Sequence, residues 1–114
     1  MLIPDRYREI LELRGFSLQE IGSAGSALAK SDALEAVDAL KESQVAILGG
    51  DVVISTNGKL RYAKENWYIK KGSNEDLRDY LARSRQKAED YIQTYPDPGN
   101  GTILYALIVS ELGT

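Results

Sequence analysis

Asn57-Gly58, set between the strand-length runs Val52 to Ser55 and Lys59 to Tyr62, constrains the fold more than any other feature of this chain. Asn and Gly both accept the positive φ that a tight two-residue turn demands, so the pair predicts a β-hairpin. Upstream, Val45 to Leu48 reads as a buried strand. Gly49-Gly50 then permits a bulge, a sharp bend or a break into a second strand. Downstream, Asn66 to Lys70 predicts the next strand. Thr102 to Ser110 is apolar on both faces, a pattern suited to the middle of a sheet covered on both sides.

Helical signals flank this β-rich centre. Pro4 and Asp5 suit a first turn, Tyr7, Ile10, Leu11 and Arg14 share one face, and Gly15 is a C-cap candidate. Ser17 and Glu20 form a capping pair for one further turn, Leu18 to Ile21, which Gly22 stops; Ser23 to Ser26 reads as loop. Asp32 and Glu35 form a second capping pair, opening a helix with Leu34, Val37 and Leu40 that reaches about Glu42. The longest helix spans 74–95. Ser73-Asn74-Glu75-Asp76 caps it, and Pro96 and Pro98 end it. Leu77, Tyr80, Leu81, Ser84, Ala88, Tyr91, Ile92 and Tyr95 form its buried stripe, while Asp79/Arg83 and Arg85/Glu89 are opposite-charge pairs on its outer side. The N-terminal helices and this long helix could supply the two covers of the sheet. At 114 residues the chain is expected to be a single domain.

Composition excludes several function classes. With no cysteine, disulfides and thiolate metal sites are impossible, and with no histidine there is no imidazole base or ligand. Catalysis would rest on Asp, Glu, Lys and Tyr alone, and the chain is not expected to be an enzyme or to hold a cofactor or a metal. No run reaches the ~18 apolar residues of a membrane span, and the polar start predicts no signal peptide. Charge is unevenly spread. Residues 51–72 set Lys59, Arg61, Lys64, Lys70 and Lys71 against Asp51 and Glu65, a local charge of +3, which leaves −6 elsewhere in a chain of net charge −3. An acidic body with one basic hairpin suits a protein partner better than nucleic acid.

Each motif has a plain reading beside its functional one. Gly49-Gly50-Asp51 lacks the Gly-Lys-Ser/Thr of a phosphate loop and precedes a β-rich segment; a structural bend accounts for it. Asp51 either caps that bend or points outward as a contact. Trp67 and Tyr68 should face opposite sides of a strand. With Tyr62 and the nearby lysines they permit an alternative function, a small nucleic-acid-binding module on hairpin 59–71. The plainer reading puts Trp67 in the core and the lysines on a solvated edge. Glu75/Asp76 and Glu89/Asp90 point about 100° apart on a helix, so neither pair converges on one proton or metal.

Four pieces in order carry a family resemblance: Asp32-Ala33-Leu34 opening a helix, Ile47-Leu48-Gly49-Gly50-Asp51-Val52, Asn57-Gly58-Lys59-Leu60, and Asn66-Trp67-Tyr68 before an amphipathic helix. Together they resemble the bacterial immunity proteins of the immunity protein 40 family, over residues 27–109. The family pattern has aromatics after Gly-Gly-Asp-Val, where this chain has Val53 and Ile54, so no contact is carried over to those positions. The resemblance implies a non-enzymatic cytoplasmic protein. It would bind the cognate C-terminal domain of a polymorphic or contact-dependent toxin and so protect the producing cell. Were that toxin a nuclease with a basic cleft, the acidic body would steer association. The expected fold is α+β, a mainly antiparallel four- to five-stranded sheet packed against the N-terminal helices and one long helix in the C-terminal half. Asp51, Tyr62, Glu65, Asn66 and Tyr68 are the expected partner-binding residues, because exposed aromatics and charges there lack a core explanation.

Overall fold

In the computed structural model, which describes residues 3–41, 43–97, 99 and 101–111, the hairpin forms as its turn demands. Strand β3 (Val45–Thr56) and strand β4 (Lys59–Tyr68) are joined by Asn57 at φ 52° and Gly58 at φ 81°, both positive as a type I′ turn requires. The other elements are helix α1 (Asp5–Arg14), β1 (Phe16–Ser17), a 3₁₀ turn (Gln19–Ile21), β2 (Ser26–Ala29), α2 (Lys30–Ala39), α3 (Leu77–Thr94) and β5 (Thr102–Glu111). The strands make a five-stranded sheet in the order β1-β2-β5-β3-β4, antiparallel at every pairing. The fold is α+β, with the apolar β5 near the centre as its composition requires.

Gly49-Gly50 does not divide β3, which runs unbroken through both residues. The pairing with β5 slips between Ile47↔Val109 and Gly49↔Ile108, so Leu48 is the extra residue of a bulge. Both glycines are needed there for space. A Cβ on Gly49 would strike the Trp67 carbonyl, and one on Gly50 would enter the Trp67 ring. The two strands expected after the turn are one strand, β4, with two extra residues between Asp51↔Asn66 and Val53↔Tyr62.

The expected helix caps form at α1 and α3 and not at α2. Ala29 occupies the N-cap of α2 without a side-chain bond, and the helix starts two residues before Asp32. Asp32 and Glu35 instead accept hydrogen bonds from Arg14 at 3.1 and 2.7 Å, clamping α1 to α2. Gly15 is the C-cap of α1 as expected, its N–H donating to Leu11 O at 3.0 Å, in an extended conformation at φ −79° where a Cβ would meet Leu11 O and the Ser26 side chain. At α3, Asp76 caps as expected, accepting from Arg78 N at 3.2 Å. Arg83 turns away from Asp79 to Glu75, donating at 2.8 Å to each carboxylate oxygen and at 2.8 Å to Lys70 O. Glu75 also accepts from Gly72 N at 2.9 Å, so loop 70–76 is tied to the helix it precedes. Glu42, the expected end of the second helix, and Pro98 lie outside the described residues.

The covering of the sheet departs most from the sequence reading. Among the described residues all three helices lie on one face, where Tyr7, Ile10, Ala36, Val37, Leu81, Ala88 and Ile92 pack on Ile47, Val52, Trp67 and Tyr105. Ser84, fully buried in α3, accepts a hydrogen bond from Ile47 N at 3.2 Å at the bulge and donates to Leu81 O at 3.0 Å. The opposite face has a second, smaller core of Leu18, Ala27, Val53, Leu104 and Ala106, with Ile21 and Leu60 at its margin. Its cover is the 3₁₀ turn, not a helix. One turn contributes Leu18 and Ile21, too little apolar surface to span five strands. Loop was expected over Ser23 to Ser26, yet Ser26 opens β2, where it pairs with Ser17 of β1.

Two outcomes follow from this packing. Gly50→Ala places a methyl group inside the Trp67 ring and should lower stability by about 1–3 kcal/mol in urea denaturation; an unchanged midpoint would contradict the close approach. Arg83 and the Gly72 amide hold the Glu75 carboxyl down, from 4.5 to about 2. A carboxyl depressed on folding adds stability above its unfolded pKa and loses it as pH falls through the folded value. Stability should therefore decline between pH 4.5 and 2, and Glu75→Gln should flatten that decline; parallel pH profiles for the two proteins would refute the assignment.

Candidate functional site

Antiparallel partners point to the same side of a sheet, so the register of β4 decides which of its residues face away from the helices. Tyr62 pairs with Val53, Asn66 with Asp51 and Tyr68 with Gly49, and Val53 belongs to the small core on the open face. Tyr62, Asn66, Tyr68 and Asp51 therefore share that face. From β5, Ile108 stands opposite Gly49, so Tyr68 and Ile108 flank a position with no side chain. From β1, Phe16 stands opposite Ala27, another member of the open-face core.

The 3₁₀ turn covers the part of this face near Leu104 and Leu60 and leaves the rest to solvent. Tyr68 is 75% exposed, Phe16 50%, Ile108 47% and Tyr62 42%. Large apolar side chains gathered on one face of a sheet are the usual mark of a contact surface, whereas single exposed ones are ordinary. Asn66 and Asp51, paired across β4 and β3 between the positions of Tyr62 and Tyr68, supply hydrogen-bonding groups beside the tyrosines. Such a mixture of aromatic surface and isolated polar groups suits recognition of a folded partner.

Glu65 stands apart from these four. It lies in the two-residue bulge of β4, and its carboxylate accepts the Tyr95 hydroxyl at 2.7 Å on the helix side of the sheet. Trp67 is core, 7% exposed, with its ring over Gly50 and stacked on Tyr91 at 4.6 Å and 29°. Its indole Nε1 has no hydrogen-bond partner among the described residues. The stack continues through Tyr91–Tyr95 at 5.9 Å to Tyr95–Tyr105 at 6.1 Å, a chain of rings from β4 to β5. The Tyr95 phenol is pushed up to about 12, chiefly by its bond to Glu65 and next by burial.

The basic residues of the hairpin do not form one stripe. Lys59 and Arg61 pair with Thr56 and Ile54, the set opposite to Tyr62 and Tyr68, while Lys64 sits in the bulge and Lys70 and Lys71 lie past the strand. Lys59 and Arg61 therefore form no continuous basic stripe beside the exposed tyrosines of the open face. The carboxylate pairs are likewise occupied locally. Glu75 serves Arg83 and Gly72, Asp76 caps α3, and Asp90 accepts from Gln86 at 2.9 Å. Among the described residues no group of His, Cys, Asp and Glu side chains could hold a metal, and no helix is long and apolar enough to cross a membrane.

Phe16 and Ile108 were not among the expected contacts. Sequence alone marks both as core, since a phenylalanine and an isoleucine in an apolar strand signal burial. Only the short reach of the 3₁₀ turn leaves them exposed.

No curated protein matches the chain, and no solved structure does. Residues 17–109 match the family described as Immunity protein 40, a span from Ser17 in β1 to Val109 in β5 that leaves Phe16 just outside it. The match thus begins ten residues before the span 27–109 over which the resemblance runs. On this match the chain belongs to the immunity protein 40 family.

Proposed function

We propose that this protein binds the cognate domain of a bacterial toxin and neutralises it by occupying its surface, protecting the cell that makes both. Membership of an immunity protein family supports a toxin as the partner. The observation that carries the mode of action is the half-covered sheet face, where Tyr62, Tyr68 and Ile108 remain exposed beside Asp51 and Asn66, and Phe16 at the opposite edge of the sheet. An interface of standard size buries about 1,600 Å² in total, about half of it on each partner.

In this reading the chain acts in the cytoplasm as one domain and makes or breaks no bond. The aromatic side chains supply contact area at low cost in conformational entropy. Asp51 and Asn66 fix the register. The −6 carried outside residues 51–72 raises the association rate with a basic toxin, a nuclease for example, more than it raises affinity.

Replacing Tyr62, Asn66 and Tyr68 together by alanine should weaken binding to the toxin domain encoded beside this protein by about a hundredfold or more, since clustered aromatic contacts each contribute about 1–2 kcal/mol or more. Cells co-expressing toxin and the triple variant should die, while the purified variant keeps the wild-type circular dichroism spectrum and melting temperature. Full affinity and full protection by a folded triple variant would show that the partner binds elsewhere.

A further inference from the structure

The helix side of edge strand β4 carries a second feature that the open face does not explain. Glu65, Tyr91, Thr94, Tyr95 and Pro96 line a shallow cleft of about 460 Å³. Its rings are the half-buried Tyr91 and Tyr95, tilted by 36° with centroids 5.9 Å apart. Its charge is the Glu65 carboxylate, which takes one hydrogen bond, from the Tyr95 hydroxyl at 2.7 Å. No Lys or Arg among the described residues forms an ion pair with Glu65. Thr94 turns its hydroxyl to Asp90 O at 2.7 Å and brings no charge of its own. Burial raises the Tyr91 phenol and the Glu65 bond raises that of Tyr95, so both stay neutral near pH 7 and the cleft has one negative charge beside two tyrosine rings.

A cation is the ligand that such a lining recognises. The faces of tyrosine rings attract positive charge within about 6 Å, and a carboxylate completes the attraction. An anion would be repelled, and a neutral apolar group would cover Glu65 without replacing its hydration. Of the two cationic side chains, a guanidinium fits better. It is planar and weakly hydrated, stacks on tyrosine, and can donate to the free oxygen of Glu65 while lying against a ring.

We propose that this cleft receives an arginine side chain of the same toxin, an inference that rests on the toxin-binding reading above. The location favours a partner protein over a free small cation. Glu65 is a neighbour in β4 of Asn66, whose side chain lies on the open face, so a chain seated against the edge strand reaches both sides of it. The partner then clasps β4, with aromatic contacts on one face and a single arginine on the other.

Trp67, the sole tryptophan, stacks on the back of Tyr91 and gives an optical signal for occupancy. Titrating the full chain with N-acetylarginine amide should change its fluorescence saturably in the millimolar range. N-acetylcitrulline amide, of the same shape without charge, should not, and Glu65→Gln should abolish the response. Amide chemical shifts recorded on the same samples should move at residues 65, 91 and 95. No saturable shift in either signal, or an equal response to citrulline amide, would overturn the proposal. With the toxin domain, Glu65→Gln should lower affinity roughly tenfold at an unchanged melting temperature. If Glu65→Gln binds as wild type while the Tyr62/Asn66/Tyr68 variant does not, the arginine cleft is wrong and the toxin reading stands. If wild type fails to bind the toxin at all, both fall.

Discussion

The contact on which the rest of this structure depends is the Trp67 indole lying over Gly50 and stacked on Tyr91. It joins three elements at once: edge strand β4, the bulged centre of β3, and α3. The fit requires a residue without a side chain at Gly50, and the neighbouring Gly49 leaves room for the Trp67 carbonyl. With one large ring buried on the helix side, the two-residue period of a strand directs Asn66 and Tyr68 to the other side. A one-residue slip would send Trp67 into water and Tyr68 into the core, so the same contact that holds α3 also sets the outer face. Ser84 adds to this by taking the Ile47 amide where the bulge interrupts the ladder, and Tyr80 by donating to Ile69 O at 2.9 Å where β4 ends.

Unequal covering turns that arrangement into a surface. Three helices close one face of the sheet, and one 3₁₀ turn closes part of the other. Proteins seldom leave several large apolar groups together in water unless something else covers them. Covering them with a further helix would have given a more ordinary α/β/α layering and no contact surface. The polar network around Glu75 and Arg83 holds the loop between β4 and α3 against the helix, just past the end of the edge strand.

Much of this was legible in the sequence wherever a local rule had no competitor. Asn57-Gly58 specified its turn, Asp76 its cap, and the stripe of Leu77, Leu81, Ala88 and Ile92 its burial. The sequence reading failed where a tertiary contact outweighed the local signal. Asp32 and Glu35 have the spacing of a capping box, yet Arg14 from a different helix recruits both, and α2 starts earlier. Ser26 to Ala29 carries no strand signal because small residues show no alternation; its pairing with β5 is decided by fit. The open face was visible only through Tyr62, Asn66 and Tyr68. Phe16 and Ile108 join it because of how little the 3₁₀ turn covers, a matter of area that periodicity does not encode. Glu65 was grouped with its neighbours in β4, yet the two-residue period of the strand puts it on the side of Trp67, opposite Asn66.

Amide hydrogen exchange, recorded on this protein alone and with its toxin domain, tests most directly whether the open face and its edge strand are where the partner sits. The account predicts new protection along residues 59–68 and around Phe16 and Ile108, with the outer surfaces of α1 and α2 unchanged. Protection confined to α1 and α2, with the edge strand exchanging as in the free protein, would contradict it.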